Sequence, residues 1–177
     1  MGGSTLITKS YVETVRDRVT ERGIECTDQH IIECLKYLAI MSGTTGRRIV
    51  VTPDVDEVWH EFIVQTRAYG ALCSDLPGKR FIHHESISPD AYATRIGDTE
   101  FVDEFLRWVP DYVHSFGPFT EERARHWTVT EFLRSELGMT LADINAAGRS
   151  ASPEAEVPRD SHWRVLEADD LERLLVS

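Results

Sequence analysis

The spacing of apolar residues constrains this chain more than any other feature. Ile7, Tyr11, Val15 and Val19 recur at every fourth position, the repeat that lays one apolar stripe along an α-helix. It predicts a helix ending near Gly23. Thr27 and Asp28 then offer an N-cap to a second helix carrying Ile31, Leu35 and Leu38, stopped by the run SGTTG. The two read as a helical hairpin.

The next signals extend the same pattern. RRIVV, at 47–51, is short and β-branched and predicts a brief extended segment. In TPDVDEVWH, Thr52 suits an N-cap, Pro53 the first helical position, and Asp54 and Asp56 the positive end of the helix dipole. This third helix is expected to run to Cys73 or Asp75, where Pro77-Gly78 stops it. PGKRFIHHESISPD then reads as a structured loop. Asp98 caps a further helix carrying Phe101, Phe105, Trp108 and Tyr112, which Pro110 should kink or end. SFGPF is a turn, and Thr120 opens a region with Phe132, Leu133 and Leu137 that Gly138 closes.

The fold expected is therefore mainly α: a compact bundle of about five helices with a structured loop after the third and a C-terminal extension. Residues 1–138 form the helical domain. From 139 onward AAGRSASPEAEVPRD lacks a periodic apolar face, so 139–177 reads as a linker and a C-terminal docking segment, HWRVLEADDLERLLVS, that folds back or meets a partner.

Charge and motifs narrow the function classes. The 19 basic against 30 acidic side chains give a net charge of −11, which repels phosphate backbones and anionic membranes, so neither nucleic acid nor membrane is an expected partner. The longest apolar runs, IVV and YLAIM, are far too short to cross a bilayer. MGGSTLITKS contains no secretory signal, and Leu6 stands where a myristoylation signal wants Ser or Thr. Three cysteines with no C-x-x-C spacing argue against a disulfide framework or a zinc ribbon, so the expected location is cytoplasmic. The signatures of dinucleotide binding, P-loops and the hydrolase elbow are missing.

One constellation carries chemistry. At 100° per residue, Asp56 and His60 lie one turn apart on a shared face, followed by Val64, Arg67 and Ala71. Val55, Val58, Phe62, Tyr69, Leu72 and Cys73 fall opposite and should face the core. A carboxylate and an imidazole at i, i+4 can both reach one cation. His83 or His84 would supply a third ligand, giving the two-histidine, one-carboxylate set that binds zinc or non-haem iron and leaves positions open. HEFIV is half of a metalloprotease motif, but Val64 occupies the second histidine position, which rules that reading out. Cys73 is a small buried residue if the helix is straight and a thiolate candidate if Gly70 bends it. The plainer alternative is a hydrogen-bonded structural histidine, with Asp56 answering the helix dipole.

The run TPDVDEVWHEFIVQTRAYGALCSDLPGKRFIHH resembles the core motif of the glycine-rich domain-containing protein family, whose bacterial members carry V-D-x-V-W-H, then T-x-x-Y, a Cys, a Gly and a histidine pair. The matching positions are Val55, Asp56, Val58, Trp59, His60, Thr66, Tyr69, Cys73, Gly78, His83 and His84. The glycine-rich segment itself is absent, with 11 Gly in 177 residues. The resemblance implies that Asp56, His60, Cys73, His83 and His84 act together, and it implies no particular reaction.

Two functions follow. In the first, a divalent ion held by Asp56, His60 and His84 or His83 polarises water or a small-molecule substrate, with Trp59, Arg67, Tyr69 and Glu85 around it and Glu61, Glu85 or Arg67 moving protons or orienting an anion. The reaction would be hydrolytic or oxidative. In the second, the His/Trp cluster is a structural junction in a non-catalytic helical module that binds a partner protein.

Overall fold

In the computed structural model, residues 7–44, 52–85, 87–155, 157–159, 161–164, 171 and 175 are described. The expected extended segment at 47–51 and much of the C-terminal docking segment lie outside them. The order is α1 (Lys9–Glu21), α2 (Asp28–Ser42), α3 (Pro53–Val64), α4 (Thr66–Asp75), α5 (Pro89–Ile96), α6 (Asp98–Leu106), α7 (Trp108–Phe116), α8 (Glu121–Ala124), α9 (Thr128–Leu137) and α10 (Leu141–Ser150), followed by a 3₁₀ turn at His162–Arg164. The fold is helical, as the spacing predicts. Among the described residues no helix is long and apolar enough to cross a membrane.

Both helices of the expected hairpin form, but α1 packs on α3 instead of lying along α2. Tyr11, Val15 and Val19 are buried on α1. Thr27 caps α2, its hydroxyl accepting from the His30 amide while the His30 ring takes the Thr27 amide. The second helix, however, is more deeply placed than its Ile31, Leu35 and Leu38 stripe suggests. Every residue from His30 to Ser42 is buried, so α2 is the central post on which α3, α7 and α8 pack, and a helix enclosed on all sides has no solvent face for its charges. Glu33 and Lys36 are consequently sealed in, paired at 2.9 Å.

The third helix departs from expectation. It breaks at Gln65, giving α3 and α4 in place of one continuous helix to Asp75. A break leaves carbonyls without intrahelical donors, and Tyr11 answers one of them, its hydroxyl donating to Phe62 O at 2.6 Å. Thr52 stands at the N-cap position of α3, but its hydroxyl donates to His126 O at 3.2 Å instead of capping the helix. Between Asp98 and Phe116 the chain also breaks earlier than expected, at Arg107, and Pro110 sits in the first turn of α7, where its missing amide costs nothing.

Residues 141–150, read from sequence as linker, form α10. Thr140 caps it in a box with Asp143, and it packs closely on α7 because Gly148 has no side chain: a Cβ there would lie 2.7 Å from Val113 Cγ2. Beyond it the described part of the extension folds back. Asp111 Oδ1 accepts from the Glu154 and Ala155 amides, and buried Trp163 donates through Nε1 to Asp75 O at 2.9 Å.

His30 and His126 meet edge to face beneath this frame, ring centroids 4.5 Å apart. Burial pushes both below 6.5, His126 to about 4, with His30, Arg125 and Lys36 adding to the effect on His126 and Asp54 partly offsetting it on His30. The unfolded chain therefore takes up protons first. Stability should be level above pH 7 and decline as the pH falls from 6.5 through 4, by on the order of 2 kcal/mol. Urea midpoints across that range measure it, and His126→Leu should flatten the slope.

Candidate metal centre

Helix α3 positions two of the three donors by its period alone. Val55, Val58, Trp59 and Phe62 are buried, which turns Asp56 and His60 to the opposite side, where their side chains are 35% and 40% exposed. Nδ1 of His60 lies 3.1 Å from the Asp56 backbone carbonyl. A carbonyl only accepts, so Nδ1 carries the proton and Nε2 keeps its lone pair, the arrangement in which a metal-ligating imidazole is usually held.

The third donor arrives on the loop after α4, and tertiary contacts shape that loop. Gly78 lies so close to the end of α2 that its amide donates to Ser42 Oγ at 3.1 Å. Arg80 reaches the last turn of α2, donating to Met41 O at 2.6 Å, to Ser42 O at 3.3 Å and to Thr44 O. This cation meets carbonyls at the negative end of the helix dipole. Further on, Trp59 Nε1 donates to Tyr69 Oη at 3.1 Å, and Tyr69 Oη donates to Ile82 O at 2.7 Å. Ile82 is buried. Two residues on, His84 turns inward, 11% exposed, with its ring 4.3 Å from Trp59 and 4.1 Å from His60.

The result is a compact trio. His84 Nε2 stands 2.9 Å from Asp56 Oδ1, and His60 Nδ1 stands 3.5 Å from Asp56 Oδ2. One ligand atom from each of Asp56, His60 and His84 lies within 4.8 Å of the others. Two donors on a tetrahedral ion at about 2.1 Å are separated by about 3.4 Å; the His84–Asp56 pair is already close to that spacing, and Nε2 of His60 carries the lone pair left to complete the set. The partial exposure of His60 and Asp56 leaves the outer side open to water or a small molecule.

The remaining sequence candidates fall elsewhere. His83 points out to solvent, its ring against Phe81 at 4.8 Å; successive residues of an extended loop face opposite ways, so only one of the tandem pair can enter. Cys73 is buried toward Tyr69 and Ile82, away from the trio, and burial raises its thiol pKa against the pull of the Ile82 backbone, Tyr69 and Arg80. Tyr69 and Trp59 brace the loop from within. Arg67 is exposed in the first turn of α4. Glu85 follows His84 and pairs with Arg95 at 3.4 Å, while Glu61 is taken by Arg22 at 3.0 Å.

Sequence reasoning missed a buried charged pair on α2. Glu33 and Lys36 of α2 form a network with Gln29, Tyr112 and Trp127. The signal was available: two charges at i, i+3 inside the apolar run IIECLKYLAIM.

Residues 6–92, just under half of the chain, are similar to a family model described as UCP032817-like. The matched stretch includes α1, α2, the trio and its loop. Neither the curated proteins nor the solved structures contain a match.

Proposed function

We propose that this protein binds a divalent cation, zinc or iron, through Asp56, His60 and His84. The observation carrying the reading is that these donor atoms gather within 4.8 Å of one another although α3 and the 76–85 loop are each fixed by packing of their own. Two imidazoles and a carboxylate suit either ion and leave open positions, where a bound water would become a nucleophile or a substrate oxygen would be polarised. A metal-dependent enzyme acting on a small molecule, by hydrolysis or oxidation, is the function that fits such a centre. Kinship with the glycine-rich domain-containing proteins, which we propose on the quoted motif, falls on the same residues.

Metal analysis of protein purified without added metal is the test, with about one ion per chain expected. His60→Ala should then lose the ion while unfolding within about 0.5 kcal/mol of chelator-treated wild type, because its ring is 40% exposed.

The second reading is a structural His/Trp junction in a module that binds a partner protein. It is favoured by the Trp59–Tyr69–Ile82 hydrogen-bond chain, which ties loop to helix without any ion. Metal-free protein that ignores chelator, together with a His60→Ala variant that melts well below wild type, would establish this reading over the first.

A further inference from the structure

The C-terminal extension is tied to α7 at two points. Where it begins, the fully buried Asp111 carboxylate accepts the Glu154 and Ala155 amides at 2.6 and 2.9 Å. Where the 3₁₀ turn ends, Arg164 donates to Val157 O at 2.8 Å and to His114 O at 2.9 Å, which closes the segment on itself and on α7 at once. Between these ties two consecutive residues reach another helix. Trp163, 3% exposed, donates through Nε1 to Asp75 O at 2.9 Å, and His162 Nε2 donates to Asp75 Oδ2 at 3.2 Å. One residue of α4 thus has both its backbone and its carboxylate held by the same turn.

Asp75 stands where such a hold matters. It is the last residue of α4, where carbonyls lack intrahelical donors, and the loop that carries His84 departs from it. Helix α4 is only ten residues long, and the break at Gln65 separates it from α3. The period of α3 that fixes Asp56 and His60 therefore does not by itself fix α4. Yet α4 also carries Tyr69, whose hydroxyl holds Ile82 O at 2.7 Å, two residues before His84. A swing or fraying of α4 would move the origin of the loop and the brace at its far end together. Gly78 and Arg80 secure the middle of the loop on α2, whereas the turn at Asp75 secures the helix from which both ends hang. That turn lies outside the family-matched residues 6–92.

We propose that His162 and Trp163 are positioning residues for the centre. By clamping Asp75 they hold α4, and with it the loop that delivers His84, so the C-terminal extension sets how tightly Asp56, His60 and His84 retain their ion. The effect on the ion rests on the function proposed above; the hold on the loop does not.

Two variants test both halves. Trp163→Phe keeps an aromatic ring in the buried position and removes the Nε1 donor, and His162→Ala removes the second bond from a partly exposed residue. In chelator-treated protein, amide hydrogen exchange in peptides spanning 70–80 should quicken by about fivefold in either variant, and further in the double, while exchange in α2 stays at the wild-type rate. Zinc titration well below the melting temperature should give a Kd weaker by about fivefold. Leu133→Ala, a cavity in α9, is the control: it should lower the melting temperature and leave both readings as in wild type. Unchanged exchange over 70–80 in the double variant would overturn the clamp. Faster exchange with wild-type zinc affinity would overturn the positioning role, and so would an equal loss of affinity in Leu133→Ala, which marks general destabilisation. Wild-type protein that takes up no zinc or iron at all would sink the function proposed above, and the exchange of α4 would still judge the clamp.

Discussion

Glu33→Leu is expected to destabilise the protein by about 3–5 kcal/mol, a large fraction of the 5–15 kcal/mol that holds an ordinary domain together. The carboxylate is fully buried and saturated: Oε1 accepts from Gln29 Nε2 at 2.7 Å and Lys36 Nζ at 2.9 Å, Oε2 from Trp127 Nε1 at 2.7 Å and Tyr112 Oη at 3.0 Å. Removing it takes from Lys36 its 2.9 Å carboxylate partner in the middle of α2, and takes the acceptor from an indole on the α8–α9 connection and a phenol on α7. The cost is thus one of abandonment, and it should not add. In Glu33→Leu/Lys36→Met the buried cation that lost its carboxylate is removed with it, so the double variant should recover about 2 kcal/mol relative to Glu33→Leu alone. Urea unfolding of the two singles and the double reads the coupling directly. A strictly additive double would mean that the pair does not communicate, contrary to their 2.9 Å separation.

What was legible in the sequence was whatever a helix decides by itself. The α1 stripe, the Thr27 cap, Pro53 at the start of α3, and the shared face of Asp56 and His60 all follow from a period of 3.6 residues and from local capping chemistry. Of the tandem histidines, the sequence could tell that only one turns inward, but which one depends on Gly78, Arg80 and Ile82 meeting α2 and Tyr69. The break at Gln65 had no signal, because the apolar pattern runs through it and the compensating donor, Tyr11, lies 51 residues before the Phe62 carbonyl that it meets. Helix α10 was missed for a different reason. Its buried face holds one large apolar residue, Ile144, beside Asn145 and Gly148, and Gly148 works by letting α7 approach, which hydropathy does not register. The burial of α2 on every side likewise belongs to the assembly of α3, α7 and α8 around it, so the isolated Glu33 and Lys36 read as an ordinary polar interruption.

Gly78→Ala is expected to cost about 2–3 kcal/mol and to lower the melting temperature by about 4–12 °C, although the residue is exposed and its φ is ordinary. The reason is proximity. A Cβ at position 78 would stand 1.7 Å from Ser42 O and 2.5 Å from Ser42 C, and these are backbone atoms at the end of the most enclosed helix in the protein, which cannot move aside. The loop must move instead. Its amide then leaves Ser42 Oγ, and Arg80, two residues on, is drawn away from the three carbonyls that it caps. Because His84 reaches Asp56 only through the same loop, the lesion should propagate to the centre. A chain that binds zinc should bind it more weakly in Gly78→Ala, though residue 78 touches none of the three donors. Gly70→Ala is the control: a Cβ there meets nothing within 4 Å, and as a helical position it should gain slightly in stability. If both variants behaved alike, the docking of the loop on α2 would not be what delivers His84.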